Sequence, residues 1–269
     1  MTTDGPLTEQ DLEQLRIQGY IKVRAFSAED AAEMEATIWR RLEKENVLRD
    51  DPSTWGMYPG GVSRSVRNSP IFRKSMTPEF SGVVDQLLGP GRWHPPKDRG
   101  TLLCTYPEDR ETWDVTSRIW HWHGDPLRNL DRLRDIFIFT FLTRVESEGG
   151  GTVLVEGSHH VVCKFYSELN PEQLEIKVKD LKRKLYESHP WLRDLTRVEG
   201  SEDRRRRFME ESTDVFGYPL RVVELTGEPG EAYITNMSTM HARSFNVLAR
   251  PRFMTAKNIN QRDEMPASE

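Results

Sequence analysis

Strand-forming residues are concentrated in two blocks of this chain, 113–158 and 219–258, with a helical stretch between them and helices in front. The first block holds Ile136-Phe137-Ile138-Phe139-Thr140-Phe141-Leu142, a run of β-branched and aromatic residues with strand character. The second is entered through the Pro229-Gly230 turn, runs through 231–236 and ends in Phe253-Met254-Thr255-Ala256. Helices, strands, a helical insertion and strands again predict a mainly β jelly-roll core with flanking helices. No internal repeat or interdomain linker is visible, and 269 residues suffice for one domain, 1–269, with a substantial core.

Helix signals flank the strands. Thr8 with Asp11 three residues on is a capped start, Gly19 is a stop, and Leu12 and Leu15 face the core. Residues 21–24 alternate as a strand. Ser27 with Asp30 opens a second helix, in which Met34, Ile38 and Leu42 recur at every fourth position. Residues 51–63, with Tyr58-Pro59-Gly60-Gly61, read as loop, and 101–106 as a strand ended by Pro107. Gly157-Ser158 reads as a turn in which Ser158 caps a helix carrying His159 and His160. Asn170-Pro171 opens a helix with a stripe of Leu174, Val178, Leu181 and Leu185, and 190–216 reads as helical or irregular. His94 and His189 precede prolines and read as loop residues. Four arginines, 204–207, sit between Glu202-Asp203 and Glu210-Glu211, either as a solvated helix face or as a clamp for an anionic substrate.

Composition narrows the function. Hydrophobic residues make up 36% and charged residues 30%, which suits a globular chain, and the net charge of −5 argues against nonspecific nucleic-acid binding. No apolar run reaches the roughly eighteen residues of a membrane span. Residues 1–6 have neither the basic nor the apolar part of a signal peptide. Cys104 and Cys163 form no disulfide scaffold and suit a reducing compartment. The expectation is a cytoplasmic protein acting on a small molecule, with no nucleic-acid or membrane partner.

Reactive side chains gather in Trp120-His121-Trp122-His123-Gly124-Asp125 and in the distant His241. A His-x-Asp pair plus one remote histidine is the donor set of the 2-His-1-carboxylate site, which holds one iron and leaves its other positions open. On a strand, His123 and Asp125 point to one face about 6.6 Å apart, close enough to converge on an ion. His121 shares that face, but an extended strand sets it about 13 Å from Asp125, so it reads as packing around the site. A His-x-Asp pair by itself also occurs as a surface polar pair. Here it stands beside aromatic and apolar segments, where a carboxylate and imidazoles need partners, and a metal is a good one. His241 follows the 231–236 strand and precedes Asn246, Arg250 and Arg252.

In this combination the chain resembles the phytanoyl-CoA dioxygenase family of Fe(II)/2-oxoglutarate oxygenases. Trp122-His123-Gly124-Asp125 is similar to the family's Trp-His-x-Asp segment. Gly149-Gly150-Gly151 through Glu156-Gly157-Ser158-His159 resembles its Asn-Gly…Pro-Gly-Ser-His turn, with Glu156 where proline is usual. Asn246 and Arg252, five and eleven residues after His241, resemble its asparagine and cosubstrate-binding arginine. The stretch 12–26 is similar to its opening, and the likeness runs from about 8 to 258; within that span, residues 164–220 match no part of it.

The resemblance implies a double-stranded β-helix, a cupin-like jelly roll, that brings His123 and His241 together across 118 positions. It implies Fe(II) held by His123, Asp125 and His241, with 2-oxoglutarate as cosubstrate, O2 as oxidant and ascorbate as a stimulant. The cosubstrate's far carboxylate needs a cation, and a planar two-pronged arginine suits it better than lysine. Arg250 and Arg252 compete for that place with Asn246 beside them; Pro251 puts the strand start at Arg252 and Arg250 in the turn. The implied reaction oxidises a substrate C–H bond and releases succinate and CO2. Hydroxylation, desaturation, epoxidation and ring formation all remain open, and Asp125 favours oxygenation over halogenation. Trp113, Trp120, Trp122 and Tyr106 line the cavity or pack in the core, and 164–220 is expected to cover the mouth. Two other readings stand beside this one: a metal oxygenase that needs no 2-oxoglutarate, and a jelly-roll binding protein without turnover.

Overall fold

A computed structural model describes residues 5–56, 62–74, 76–130, 132–197 and 203–262. The opening residues 1–4 and the Tyr58-Pro59-Gly60-Gly61 turn lie outside these ranges. Helices α1 (Glu9–Gln18), α2 (Ala28–Leu42), α3 (Val62–Arg67), α4 (Pro70–Arg73) and α5 (Pro78–Leu88) come first, with β1 (Tyr20–Arg24) after α1. Next are β2 (Thr101–Thr105), β3 (Asp135–Phe141) and β4 (Thr152–Glu156), then α6 (Ser158–Ser167), α7 (Pro171–Leu174), α8 (Val178–Glu187) and α9 (Pro190–Thr196). The chain closes with β5 (Thr213–Val215), β6 (Tyr218–Glu224), β7 (Glu231–Asn236), β8 (His241–Arg243) and β9 (Arg252–Asn260).

The strands form two antiparallel sheets, ordered β1-β7-β3-β9-β2 and β5-β6-β4-β8. Side chains alternate between faces along a strand. Ile136 and Ile138 of β3, with Phe253 and Ile259 of β9, therefore pack against Met34, Ile38, Val66, Phe80 and Leu87 of the leading helices. Phe139, Phe141 and Met254 point the other way, toward Leu154 and Leu225 of the facing sheet. Val153 and Val155 of β4 face outward onto Val161, Leu185 and Leu192 of the inserted helices. Both sheets are thus covered on both faces, which is why β3 reads as an unbroken apolar run.

Local signals hold where capping chemistry decides. Thr8 and Asp11 form a reciprocal capping box on α1, and Gly19 ends that helix at φ 85°. Ser27 caps α2, whose Met34, Ile38 and Leu42 are buried. Leu15 is buried as expected and Leu12 is half-buried.

Three expectations need correction. The block 113–158 is mostly irregular before β3, and its 3-10 turn Pro126–Asn129 carries no strand pairing. The stripe after Asn170 does not lie on one helix. The extended backbone of Lys177 (φ −53°, ψ 134°) separates α7 from α8, so Leu181 and Leu185 are buried while Leu174 and Val178 are exposed. Ser158 is not a cap. Gly157 takes that position at φ 74°, and the Ser158 hydroxyl instead donates to Val155 O and accepts from Met240 N.

The four arginines at 204–207 are structural. Arg204 donates to the carbonyls of Val115, Thr116, Asp194 and Leu195, while Arg205, Arg206 and Arg207 pair with Glu148, Glu211 and Asp194. Arg204 thereby ties the insertion to the segment that leads into the histidines. From α8, Tyr186 donates to Trp120 O at 2.7 Å and Lys182 to Trp122 O at 3.3 Å.

Candidate metal centre and anion pocket

A cavity of about 880 Å³ opens between the two sheets. Its walls come from β2, Phe137 and Phe139 of β3, Thr152 of β4, β8, the inner face of β9, and the loop carrying His121, His123 and Gly124. Trp113, Trp120 and Trp122 are absent from this lining; they are buried with Val153, Val155 and the inserted helices, so their role is packing. Tyr106 is buried with the leading helices' cluster. Among the described residues of 164–220, none lines the cavity. These residues brace the ligand-bearing segment from behind.

The histidines are placed by backbone pairing. His121 N donates to His241 O at 3.0 Å and His241 N donates to His121 O at 2.8 Å, an isolated antiparallel bridge at the start of β8. Directly opposed residues send their side chains to one face, and the two rings lie 4.4 Å apart, centre to centre. His123, two residues on, follows to the same side, its ring 5.0 Å from each of the others. One ligand atom from each of His121, His123 and His241 lies within 4.8 Å of the others. Phe137 stacks on His123 at 4.2 Å and Phe139 meets His241 edge-on at 5.2 Å, fixing both rings.

Asp125 stands elsewhere. It is exposed, and its carboxylate accepts Leu127 N at 2.9 Å to cap the turn Pro126–Asn129. Of the expected donors His123, Asp125 and His241, the structure brings the two histidines together and adds His121. The extended-chain distance that set His121 aside measured it against Asp125. The bridge of His121 to His241 is a separate contact that this distance does not measure.

Two of the rings carry a fixed proton. His121 Nδ1 bonds Ile119 O at 2.8 Å and His241 Nδ1 bonds Thr239 O at 3.0 Å. A ring nitrogen facing a carbonyl must donate, which leaves each Nε2 with a free lone pair; metal-binding histidines are commonly oriented this way. Ile119 supplies its carbonyl from a strained backbone, φ 62° in a β-branched residue. Burial holds all three imidazoles below their usual range, His123 at about 4, with neighbouring imidazoles adding to the effect at His123 and His241. All three are therefore neutral near pH 7. Neutral imidazoles on one face suit a divalent first-row ion.

The second feature is Arg252. It is 3% exposed and lines the same cavity. Its guanidinium donates to Gly150 O at 2.7 Å, Thr105 Oγ1 at 2.6 Å and Leu103 O at 3.4 Å. Among the described residues no carboxylate pairs with it. Burial pushes it down to about 10. A buried cation with only neutral acceptors is costly unless an anion joins it.

Arg250 and Asn246 stand outside the cavity. Arg250 is exposed and lines a separate surface hollow. Asn246 is buried, donating to Thr105 O and Arg250 O and accepting from Leu248 N. It joins the end of β2 to the start of β9 and thereby sets where Arg252 enters. The glycine run supplies the remaining part of the cradle. Gly150 has φ 77°, and a Cβ there would lie 2.9 Å from both Thr105 Cγ2 and Asn246 Cβ. Gly150→Ala is expected to destabilise the fold by about 1–3 kcal/mol and to weaken anion binding at Arg252. A melting curve and a binding titration on that variant check both effects.

His159 gives a pH prediction away from the site. Burial, helped by His160, holds it down to about 3. The unfolded chain takes up a proton near the ordinary value of about 6.5, so stability present above that pH is lost as pH falls toward about 3. The melting temperature of the metal-free protein should fall across this window, and His159→Gln should flatten the slope. A melting temperature independent of pH would contradict this.

No protein-family model and no curated protein matches the sequence. Solved structures do match. The non-heme alpha ketoglutarate dependent carbocyclase SnoK from nogalamycin biosynthesis aligns with TM-score 0.53 and 18% identity over 95% of this chain and 85% of that one. The alpha ketoglutarate dependent epimerase SnoN from the same biosynthesis aligns with TM-score 0.52 and 16% identity over 96% and 87%. EctD from S. alaskensis in its apoform gives TM-score 0.51 and 18% identity over 97% and 79%. The chain shares the double-stranded β-helix fold of these solved structures. At these identities the likeness establishes the fold, and the chemistry rests on the residues described above. Among the described residues, no helix is long and apolar enough to cross a membrane.

Proposed function

We propose that this protein is an Fe(II)- and 2-oxoglutarate-dependent oxygenase acting on a C–H bond of a small molecule. The observation that carries the reading is Arg252, a buried cation without a carboxylate partner in the cavity that holds three converging imidazoles. The fold adds support, since SnoK and SnoN are described as alpha ketoglutarate dependent and an EctD structure of TM-score 0.50 has bound Fe.

His123 and His241 hold the iron together with a third donor. At that place iron would supply the chemistry for oxidative decarboxylation of 2-oxoglutarate to succinate and CO2, coupled to substrate oxidation. Arg252 binds the cosubstrate's far carboxylate through a charge-assisted contact, and Gly150 O and Thr105 Oγ1 fix the guanidinium plane. Phe137, Phe139 and Leu103 line the cavity with apolar surface, which lowers the local dielectric around that ion pair and strengthens it. Thr101, Asn258 and Asn260 offer polar groups to a substrate.

A metabolite screen with iron, 2-oxoglutarate and ascorbate, read by succinate release, tests the proposal. The expected result is iron-dependent succinate formation that rises with one class of substrate. Oxygen uptake without any need for 2-oxoglutarate would point to a different metal oxygenase. Ligand binding with no succinate would point to a binding protein.

A further inference from the structure

Resting on the metal-site reading above, we propose that the third donor is His121. The iron is then held by three neutral imidazoles, His121, His123 and His241, and not by a histidine pair with Asp125. In this register the pair two residues apart is His121-x-His123, and His123 stands where a His-x-Asp site has its carboxylate.

Four observations converge on this assignment. The three rings already face one point, with one ligand atom each within 4.8 Å of the others. His121 is paired to His241 by two reciprocal backbone hydrogen bonds, which fix its Cα directly opposite that histidine. His121 and His241 share one second contact: each Nδ1 donates to the carbonyl two residues earlier, Ile119 O and Thr239 O, turning Nε2 to the common point. That shared device is common in metal-binding histidines, whose second ring nitrogen is usually held by such an acceptor. Asp125 caps the turn Pro126–Asn129 through Oδ1, and its carboxylate is not among the ligand atoms that come together with the three imidazoles.

The assignment has a chemical consequence. Three neutral ligands leave the full double charge on the ion, whereas a carboxylate would cancel one unit. No aspartate or glutamate lines the cavity among the described residues, and Arg252 and Arg243 do. The centre is therefore strongly cationic and suited to a dianionic keto acid beside a neutral or anionic substrate.

The test counts nitrogen ligands. Full-length protein loaded with Cu(II) is examined by pulsed electron paramagnetic resonance, whose echo modulation reports the number of coordinated imidazoles. Co(II) affinity is measured in parallel by chelator competition. The variants are His121→Ala, His121→Gln and Asp125→Asn; asparagine keeps the turn cap while removing the charged donor. Melting curves of the metal-free variants confirm folding.

Wild type and Asp125→Asn should show three imidazoles, with Co(II) affinities within about threefold of each other. Both His121 variants should show two imidazoles and lose at least about tenfold in affinity. Two imidazoles in wild type, or loss of metal in Asp125→Asn with the His121 variants unaffected, would overturn the assignment and leave the oxygenase reading standing on a carboxylate site. Equal losses in both sets would also overturn it, because Asp125 would then be a ligand. A wild-type protein that binds neither metal would remove the metal-site reading itself.

Discussion

Arg252→Ala is expected to weaken 2-oxoglutarate binding by roughly thirtyfold to several thousandfold, equivalent to about 2–5 kcal/mol, with metal binding unchanged. The size follows from burial. The guanidinium is 3% exposed, so its contact with a carboxylate is screened little by water. Arg250→Ala should change binding little, because Arg250 is exposed and faces another hollow. The same burial predicts a trade-off. In the ligand-free protein the charge has no carboxylate partner, so Arg252→Met should hold or raise the melting temperature while abolishing tight cosubstrate binding. Calorimetric titration of Mn(II)-loaded protein with 2-oxoglutarate, beside melting curves, checks both halves. Equal effects from the two arginines would move the anchor away from Arg252.

His241→Ala is expected to lower divalent-metal affinity by at least about a hundredfold while the metal-free protein still folds. His241 sits at the start of β8 and its backbone bridge to His121 survives the substitution. What disappears is a neutral ring whose second nitrogen is already directed by Thr239 O. Chelator competition with Co(II) measures the loss. An affinity unchanged in His241→Ala would show that the ion, if any, binds elsewhere.

Much of the fold is legible in the sequence because its causes are local. β3 is covered on both faces, so Ile136 and Ile138 go to the helices and Phe139 and Phe141 to the facing sheet, and the run declares itself. Thr8, Ser27 and Asn170 cap helices through side chains within three residues. The failures are contacts made at long range. Ser158 is taken up by Met240 N, and the arginines 204–207 by carbonyls and carboxylates of other segments. In α7 and α8 a helical spacing of three and four residues continues through a break at Lys177 that spacing cannot reveal.

The site divides in the same way. His123, His241 and Arg252 carry signals in residue type and order. His121 carries half a signal: its parity with His123 puts it on the correct face, but only the pairing with His241, 120 positions away, brings it to the centre. Asp125 carries a signal in its spacing from His123, and with Gly124 at positive φ and a turn at Pro126 its carboxylate caps that turn. The cradle of Arg252 draws on Leu103, Thr105 and Gly150, which no linear motif connects.

The most direct test of the central claim is an anaerobic optical titration of the Fe(II)-loaded protein with 2-oxoglutarate. A keto acid chelated to ferrous iron gives a visible charge-transfer band. The expected result is a band that saturates at one equivalent in wild type, needs far more 2-oxoglutarate in Arg252→Ala, and is absent in His241→Ala. No band in wild-type protein shown to contain iron would contradict it.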